Sequence, residues 1–261
     1  MPLLYARFND SGTAFEPQRN VITWAGDLDG GGAIAADADG NVFVMWHGRV
    51  SEHPPGEAGR AVVVARSRDE GRSFAREIPA TNEPTGACGC CGMRALADRH
   101  GTLYALFRGA AHQTDRDLHL LVSRDHGRSF GLTTLARWKI AACPMSSAWL
   151  TESAGGVLAA WESGSKVWFA QLDPAAPQLA KPLAAPSSQM GKHPVVIGNT
   201  RGEVLFVWTE DTAWAKGGSV AWQAYDPQGR PTDEHGRAEG LPGWSYAAAF
   251  AQPDGDFVVL Y

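Results

Sequence analysis

The residues of this chain best able to do chemistry are four cysteines confined to two short segments. These are Ala87-Cys88-Gly89-Cys90-Cys91-Gly92-Met93-Arg94 and Ala142-Cys143-Pro144-Met145. Three fates are open to them. Oxidation would join one of Cys88, Cys90 or Cys91 to Cys143, with a second bridge inside the cluster as an option, and sequence alone does not choose among the pairings. Such a bridge stabilises by about 2–4 kcal/mol and belongs to an oxidising compartment. As thiolates, the same sulfurs joined by Met145 or His193 would form a soft-metal site. Cys with Met favours copper(I) and Cys with His favours zinc, although Cys-x-Cys-Cys is not a zinc-finger spacing. Left unpaired, they are thiols whose reactivity depends on their surroundings.

The elements that must position these residues announce themselves through repetition. Ser67-Arg68-Asp69-Glu70-Gly71-Arg72-Ser73-Phe74 returns as Ser123-Arg124-Asp125-His126-Gly127-Arg128-Ser129-Phe130, and Phe8-Asn9-Asp10-Ser11-Gly12-Thr13-Ala14-Phe15 is a weaker copy. In each, the aspartate is expected to close the turn on its own backbone, the glycine to take positive φ, and the phenylalanine to re-enter a core. A second signal lies between these turns: a glycine turn followed by a strand-like run. It begins at Asp39-Gly40, His100-Gly101, Gly155-Gly156, Arg201-Gly202 and Asp254-Gly255. Such pairs signal β-hairpins, and their spacing of roughly 45–60 residues suits a four-stranded unit. Thirty Gly, sixteen Pro and ten Trp in 261 residues fit an all-β chain rich in tight turns.

The form S-x-D-x-G-x-x-F resembles the Asp-box (BNR) repeat of sialidase-like β-propellers, and the repeats extend over nearly the whole chain. The resemblance implies an all-β propeller of four-stranded blades in a single domain, residues 1–261. The glycine hairpins would be inner strands A and B, and the repeated-turn hairpins outer strands C and D. Eroded turns are expected around Asp173-Pro174 and Asp226-Pro227. The chain would open on a lone C–D pair and close on a lone A–B pair, and these would complete one blade. That gives five blades; a six-bladed sialidase fold missing its N-terminal part is the alternative.

The resemblance also implies a face. D-to-A and B-to-C connections would gather at an axial mouth, the expected place for a ligand. Tested residue by residue against a sialidase, Tyr246 is the candidate nucleophile, Glu162 or Glu210 its activating partner, and Asp27 or Asp29 the acid. Arg94, Arg108, Arg116, Asp117, Lys192 and His193 are the candidate ligand-binding residues. The arginines depart from the family: its early Phe-Arg-Ile-Pro segment is absent, and Lys192 cannot reproduce a bidentate carboxylate clamp. Trp46, Trp161 and Trp208 end matching strands and are expected between blades, leaving Trp168, Trp214 and Trp222 to stack on a sugar.

These readings give a sialidase-like propeller that binds a glycan or small polar ligand, with hydrolysis as an extension and no cofactor. The alternatives are a non-catalytic propeller holding copper or zinc, and a protein-interaction scaffold. A net charge of -5 without a Lys/Arg run argues against nucleic acid, and no apolar stretch is long enough to span a bilayer. No signal segment is visible at the N-terminus. The location expected is periplasmic or secreted if the cysteines are oxidised, and cytoplasmic if this N-terminus is authentic and they are reduced. Composition leaves the oligomeric state open.

Overall fold

A computed structural model describes the chain except for residues 27, 51–52, 83–84, 113, 173–180, 188, 214 and 244. Asp27, Trp214 and the Asp173-Pro174 turn therefore lie outside the described residues. The chain divides into two compact units, Met1–Met145 and Ser146–Tyr261. Both are built from antiparallel strands, and the helical content among the described residues is one 3-10 turn, Glu57–Gly59.

The first unit opens on a two-stranded pair, β1 (Leu4–Tyr5) and β2 (Arg19–Asn20). Two four-stranded sheets follow. The first runs β3 (Ala33–Ala36), β4 (Val42–Arg49), β5 (Arg60–Ser67) and β6 (Ile78–Pro79). The second runs β7 (Arg94–Ala97), β8 (Leu103–Arg108), β9 (Leu118–Ser123) and β10 (Gly131–Ala136). The second unit repeats the pattern with β11 (Ala148–Ser153), β12 (Gly156–Ser163), β13 (Lys166–Gln171) and β14 (Leu183–Ala184). Its next sheet is β15 (Gly191–Gly198), β16 (Val204–Glu210), β17 (Gly218–Tyr225) and β18 (Pro231–Leu241), and the pair β19 (Ala248–Ala251) and β20 (Phe257–Leu260) ends the chain. Four complete blades with a two-stranded pair at each end is the count that the hairpin signals predict.

The middle strands of a propeller blade carry apolar side chains on both faces, since both are withdrawn from water. Leu103–Arg108 and Leu118–Ser123 are accordingly buried at every position. In the first unit, Phe43, Met45, Val62 and Val64 of one blade pack with Leu103, Ala105, Phe107 and Leu121 of the next. In the second, Leu158, Ala160 and Phe169 meet Phe206, Trp208 and Tyr225. Val195, Val207 and Val220 in turn meet Phe257 and Val259 of the terminal pair. Trp46, Trp161 and Trp208 are buried as expected, and Trp168 and Trp222 are half-buried. The outer strand β18 alternates between exposed and half-buried and carries Asp233, Glu234, His235, Arg237 and Glu239. Charge of that density blunts a sheet edge against pairing with another chain.

The repeated turns work as their residues require. Ser67 Oγ donates to Asp69 Oδ1 at 2.6 Å, and Asp69 accepts from Ser73 N at 2.9 Å and Ser73 Oγ at 2.6 Å. The second copy matches it: Ser123 Oγ to Asp125 at 2.7 Å, and Ser129 N and Oγ to Asp125 at 2.9 and 2.6 Å. Gly71 and Gly127 hold φ of 78° and 72°, which a glycine adopts without a Cβ clash. Both carboxyls are held far below the usual aspartate range. Hydrogen bonds from Ser67 and Ser73 do this for Asp69; for Asp125, those from Ser129 and Ser123 outweigh the opposing effect of burial. The partial N-terminal copy differs from expectation. There Asn9 Oδ1 accepts from Thr13 N at 3.0 Å, while Asp10 turns outward to Arg7 and to Arg72, 2.8 Å away. The side chain one place earlier is the one aimed back at the turn's amides. At the Asp226 turn, Oδ1 accepts from Gln228 N and Arg230 N at 2.9 Å each.

Candidate functional site

The chemistry-bearing residues fall at strand ends and in the connections that follow them. In the second unit, β15 begins with Gly191-Lys192-His193, and its pairing with β16 is interrupted between Lys192 and Val195. His193 sits in that interruption with φ of 49°. Lys192 Nζ reaches Glu162 Oε1, near the end of β12, at 3.3 Å, and both side chains are largely withdrawn from water. The His193 ring lies 4.3 Å from the ring of Tyr246, centroid to centroid, and its Nδ1 is 3.4 Å from Ser147 Oγ. Burial, reinforced by the Lys192 charge, lowers the His193 pKa to about 4, so the ring is neutral at pH 7. Tyr246 itself is 52% exposed. Tyr246, His193 and Ser147 thus form one group around an open aromatic ring, and Lys192, the residue before His193, carries the neighbouring ion pair with Glu162.

Glu210, at the end of β16, is engaged elsewhere. Its Oε1 accepts from Trp208 Nε1 at 2.8 Å and from Ser187 Oγ, and its Oε2 accepts from Arg237 Nε on β18 at 2.9 Å. Those groups line a groove of about 400 Å³ together with Trp222, Gln223 and His235. Among the described residues, no carboxylate is hydrogen-bonded to the Tyr246 hydroxyl.

In the first unit, Asp29 pairs with Arg60 at 2.6 Å, and Arg116 pairs with Glu57 at 3.0 Å. Arg108 is 2% exposed, donates to the Arg116 carbonyl at 2.8 Å, and lies over the Trp138 ring at 5.2 Å. Asp117 Oδ1 accepts from Trp138 N at 2.8 Å. Arg94 opens β7 and is exposed. Arg108, Arg116 and Asp117 therefore brace the connection after β8.

Two buried groups carry more weight than sequence reasoning gave them. His47 on β4 is fully buried, and neither ring nitrogen has a hydrogen-bond partner among the described residues. Burial and the Arg60 charge hold its pKa down to about 4, against the opposing pull of Asp29. Glu77 is 1% exposed and accepts from the backbone N–H of Thr23, Trp24 and Ala25 at 2.8, 2.8 and 3.1 Å. No motif marks Glu77, since its donors lie more than fifty residues earlier.

The cysteines converge. Cys90 and Cys143 lie at disulfide distance, with Cα atoms 7.2 Å apart. Cys88 Sγ lies 3.6 Å from the sulfurs of both and 3.5 Å from that of Cys91. Cys88, Cys90 and Cys143 form a group with metal-ligand spacing, and the other such group among the described residues is Asp37, Asp39 and His126. Met145 donates its backbone N–H to Cys143 Sγ at 3.4 Å.

No protein-family model matches the sequence, and no curated protein does. Solved structures do resemble the chain. It aligns with the Hadza microbial sialidase Hz136 at a TM-score of 0.57 and 16% identity, covering 94% of this chain and 53% of the sialidase. The chain thus spans about half the length of that enzyme. With the Penicillium chrysogenum alpha-L-arabinanase complexed with arabinobiose, the TM-score is 0.60 at 12% identity, over 89% of this chain and 74% of the other. A PL25 ulvan lyase bound to a GlcA–Rha3S oligosaccharide gives 0.58 at 13%, over 94% and 68%. At such identities the likeness is one of architecture, and it gives this chain a sialidase-like β-propeller fold.

Proposed function

We propose that the protein binds a glycan, or a small polar ligand of similar character, on the cluster of Tyr246, His193 and Lys192. The observation that carries this reading is Tyr246, a half-exposed ring backed at 4.3 Å by the neutral His193 ring. An aromatic face beside fixed polar groups offers what a sugar needs: a plane for its C–H surface and partners for its hydroxyls. The solved neighbours named as a sialidase, an arabinanase and a polysaccharide lyase support a carbohydrate ligand by analogy of fold. The two serine–aspartate turns support reading the repeats as Asp-boxes, and the alignments over most of the chain support one propeller domain. Oxidised to a bridge, the Cys90–Cys143 pair would suit a periplasmic or secreted location.

Hydrolysis through Tyr246 requires a base at its hydroxyl. Glu162 turns to Lys192 and Glu210 to Arg237, which leaves Tyr246 a binding surface. Asp29, paired with Arg60, keeps its place as the candidate acid only under the hydrolytic extension. The test is calorimetric titration with sialyllactose, arabinobiose and an ulvan disaccharide, repeated on Tyr246→Ala. Loss of the ring removes the apolar plane under the sugar together with its area, so binding is expected to weaken by about tenfold or more. A protein that binds none of the three, or a variant that binds as the parent does, would overturn the reading.

A further inference from the structure

The cysteine cluster lies in the first unit and asks for an account of its own. Four sulfurs meet round one buried centre, Cys88, whose neighbours stand 3.5–3.6 Å away. Sulfurs placed about 2.3 Å from one ion at tetrahedral angles are separated by about 3.8 Å. The Cys88–Cys90 and Cys88–Cys143 separations are thus within a few tenths of an ångström of ligands sharing a metal, whereas Cys90 and Cys143 stand closer, at 2.50 Å, and would have to part on reduction to share the ion. The Cys90 and Cys143 Cα atoms, 7.2 Å apart, lie beyond the usual disulfide span of about 4.4–6.8 Å. Their backbones suit two ligands facing one ion better than two halves of a bridge.

The surroundings fix the loop in place. Cys88 N donates to the Arg108 carbonyl at 2.9 Å and Ala87 N to the Glu57 carbonyl at 2.9 Å. A Cβ on Gly89 would stand 2.5 Å from Asp29 Cγ, so only glycine allows Asp29 to pack this close against the loop. Cys88 and Cys91 are buried, Cys143 is half-buried and Cys90 is exposed, which leaves one open side for an ion to enter. The Met145 N–H directed at Cys143 Sγ supplies a donor to a thiolate there.

We infer that Cys88, Cys90 and Cys143 form a thiolate site for a single copper(I) ion. The mutual grouping holds three sulfurs, with Cys91 in contact with Cys88 but outside the set. Three soft donors suit copper(I), whereas a structural zinc site takes four. On binding, the three thiols release their protons to solvent, three Cu–S bonds form, and no electron is transferred.

The test uses the full chain, reduced with a phosphine under nitrogen and titrated with copper(I) in competition with bicinchoninate. The expected result is one copper per chain in the native mass spectrum. Cys88→Ser should weaken binding by about 100-fold or more, and Cys91→Ser by less than tenfold. Cys143→Ser, at a half-buried position, should match Cys88→Ser, and circular dichroism with a thermal melt checks that each variant is folded. Reduced protein that competes no better than Cys88→Ser would overturn the site. So would a preference for zinc(II) over copper(I), or a Cys90–Cys143 bridge that resists reduction in the folded chain.

Discussion

Replacing Glu77 should separate two ways of losing a buried carboxylate. In the native protein its Oε1 collects three backbone N–H groups, from Thr23, Trp24 and Ala25, and its Oε2 accepts from Thr23 Oγ at 2.5 Å. Glutamine keeps an oxygen for the three amides and can offer its NH2 to the threonine hydroxyl. What it loses is charge assistance, about 1 kcal/mol per bond before the lower desolvation cost of a neutral group is set against it. Glu77→Gln should therefore cost about 1–2 kcal/mol. Alanine removes the acceptor altogether and orphans three amides, each costing about 1–3 kcal/mol when buried, so Glu77→Ala should cost at least about 3 kcal/mol. Urea unfolding at pH 7 followed by tryptophan fluorescence measures both, with Trp24, whose Nε1 donates to the Glu77 carbonyl at 2.9 Å, as a local reporter. The pH dependence adds a sign. Burial raises the Glu77 pKa, but the hydrogen bonds from Thr23, Trp24 and Ala25 outweigh it and leave it below 4.5. The carboxylate's contribution is thus complete above that value and fades as pH falls through the lowered pKa. The gap between parent and Glu77→Gln should stay constant from pH 8 to pH 5 and close in acid. An alanine variant within about 1 kcal/mol of the parent would refute the reasoning, since the amides would then have found other partners.

Two further perturbations probe the charged and titrating groups. Lys192→Met removes the cation paired with the buried Glu162 and should cost up to about 3–5 kcal/mol in urea, while Lys192→Met combined with Glu162→Gln should recover much of that loss. Equal losses in the single and double variants would show that the pair is not coupled. His47, His119 and His193 are each held at about 4, chiefly by burial. Because these pKa values lie below the unfolded one, the unfolded chain takes up protons first, and stability should fall as pH drops from about 6.5 towards 4. Their ring signals should show no titration above pH 5 by NMR. A midpoint near 6.5 for any of them would mean that its ring is solvated.

Much of the architecture was legible because turns are local. The Ser67–Asp69 and Ser123–Asp125 hydrogen bonds span two residues, and the glycine hairpins at Gly40, Gly101, Gly156, Gly202 and Gly255 each close within a single turn. The same locality explains the miss at the first copy, where Asn9 and Asp10 are both competent turn-closers and only the backbone direction selects Asn9. It explains as well why Asp37 and Asp98 escaped notice. Each accepts two amides, from Asp39 and Asn41 or from His100 and Thr102, but stands ahead of the conspicuous glycine pair.

The site was less legible, because a charge at a strand end has two uses that sequence cannot distinguish. A propeller blade must bring its strand ends close to those of its neighbours, and a charge buried there is tolerable only when paired. The partners come from distant parts of the chain: Asp29 with Arg60, Glu57 with Arg116, Glu162 with Lys192, Glu210 with Arg237. Each of these residues has the type and position of a catalytic or ligand-binding group, and each is already answered by an opposite charge. Such pairing withdraws the carboxylates of Asp29, Glu57, Glu162 and Glu210 from acid–base chemistry in proportion to their burial. What then distinguishes a ligand-facing residue is exposure that the fold does not require. Tyr246 meets that condition, since a tyrosine serving only the core would be turned inward as Tyr225 is, at 5% exposure. Cys88 meets its converse, a buried sulfur with three others 3.5–3.6 Å away, and it is on these two residues that the proposed ligand and copper sites rest.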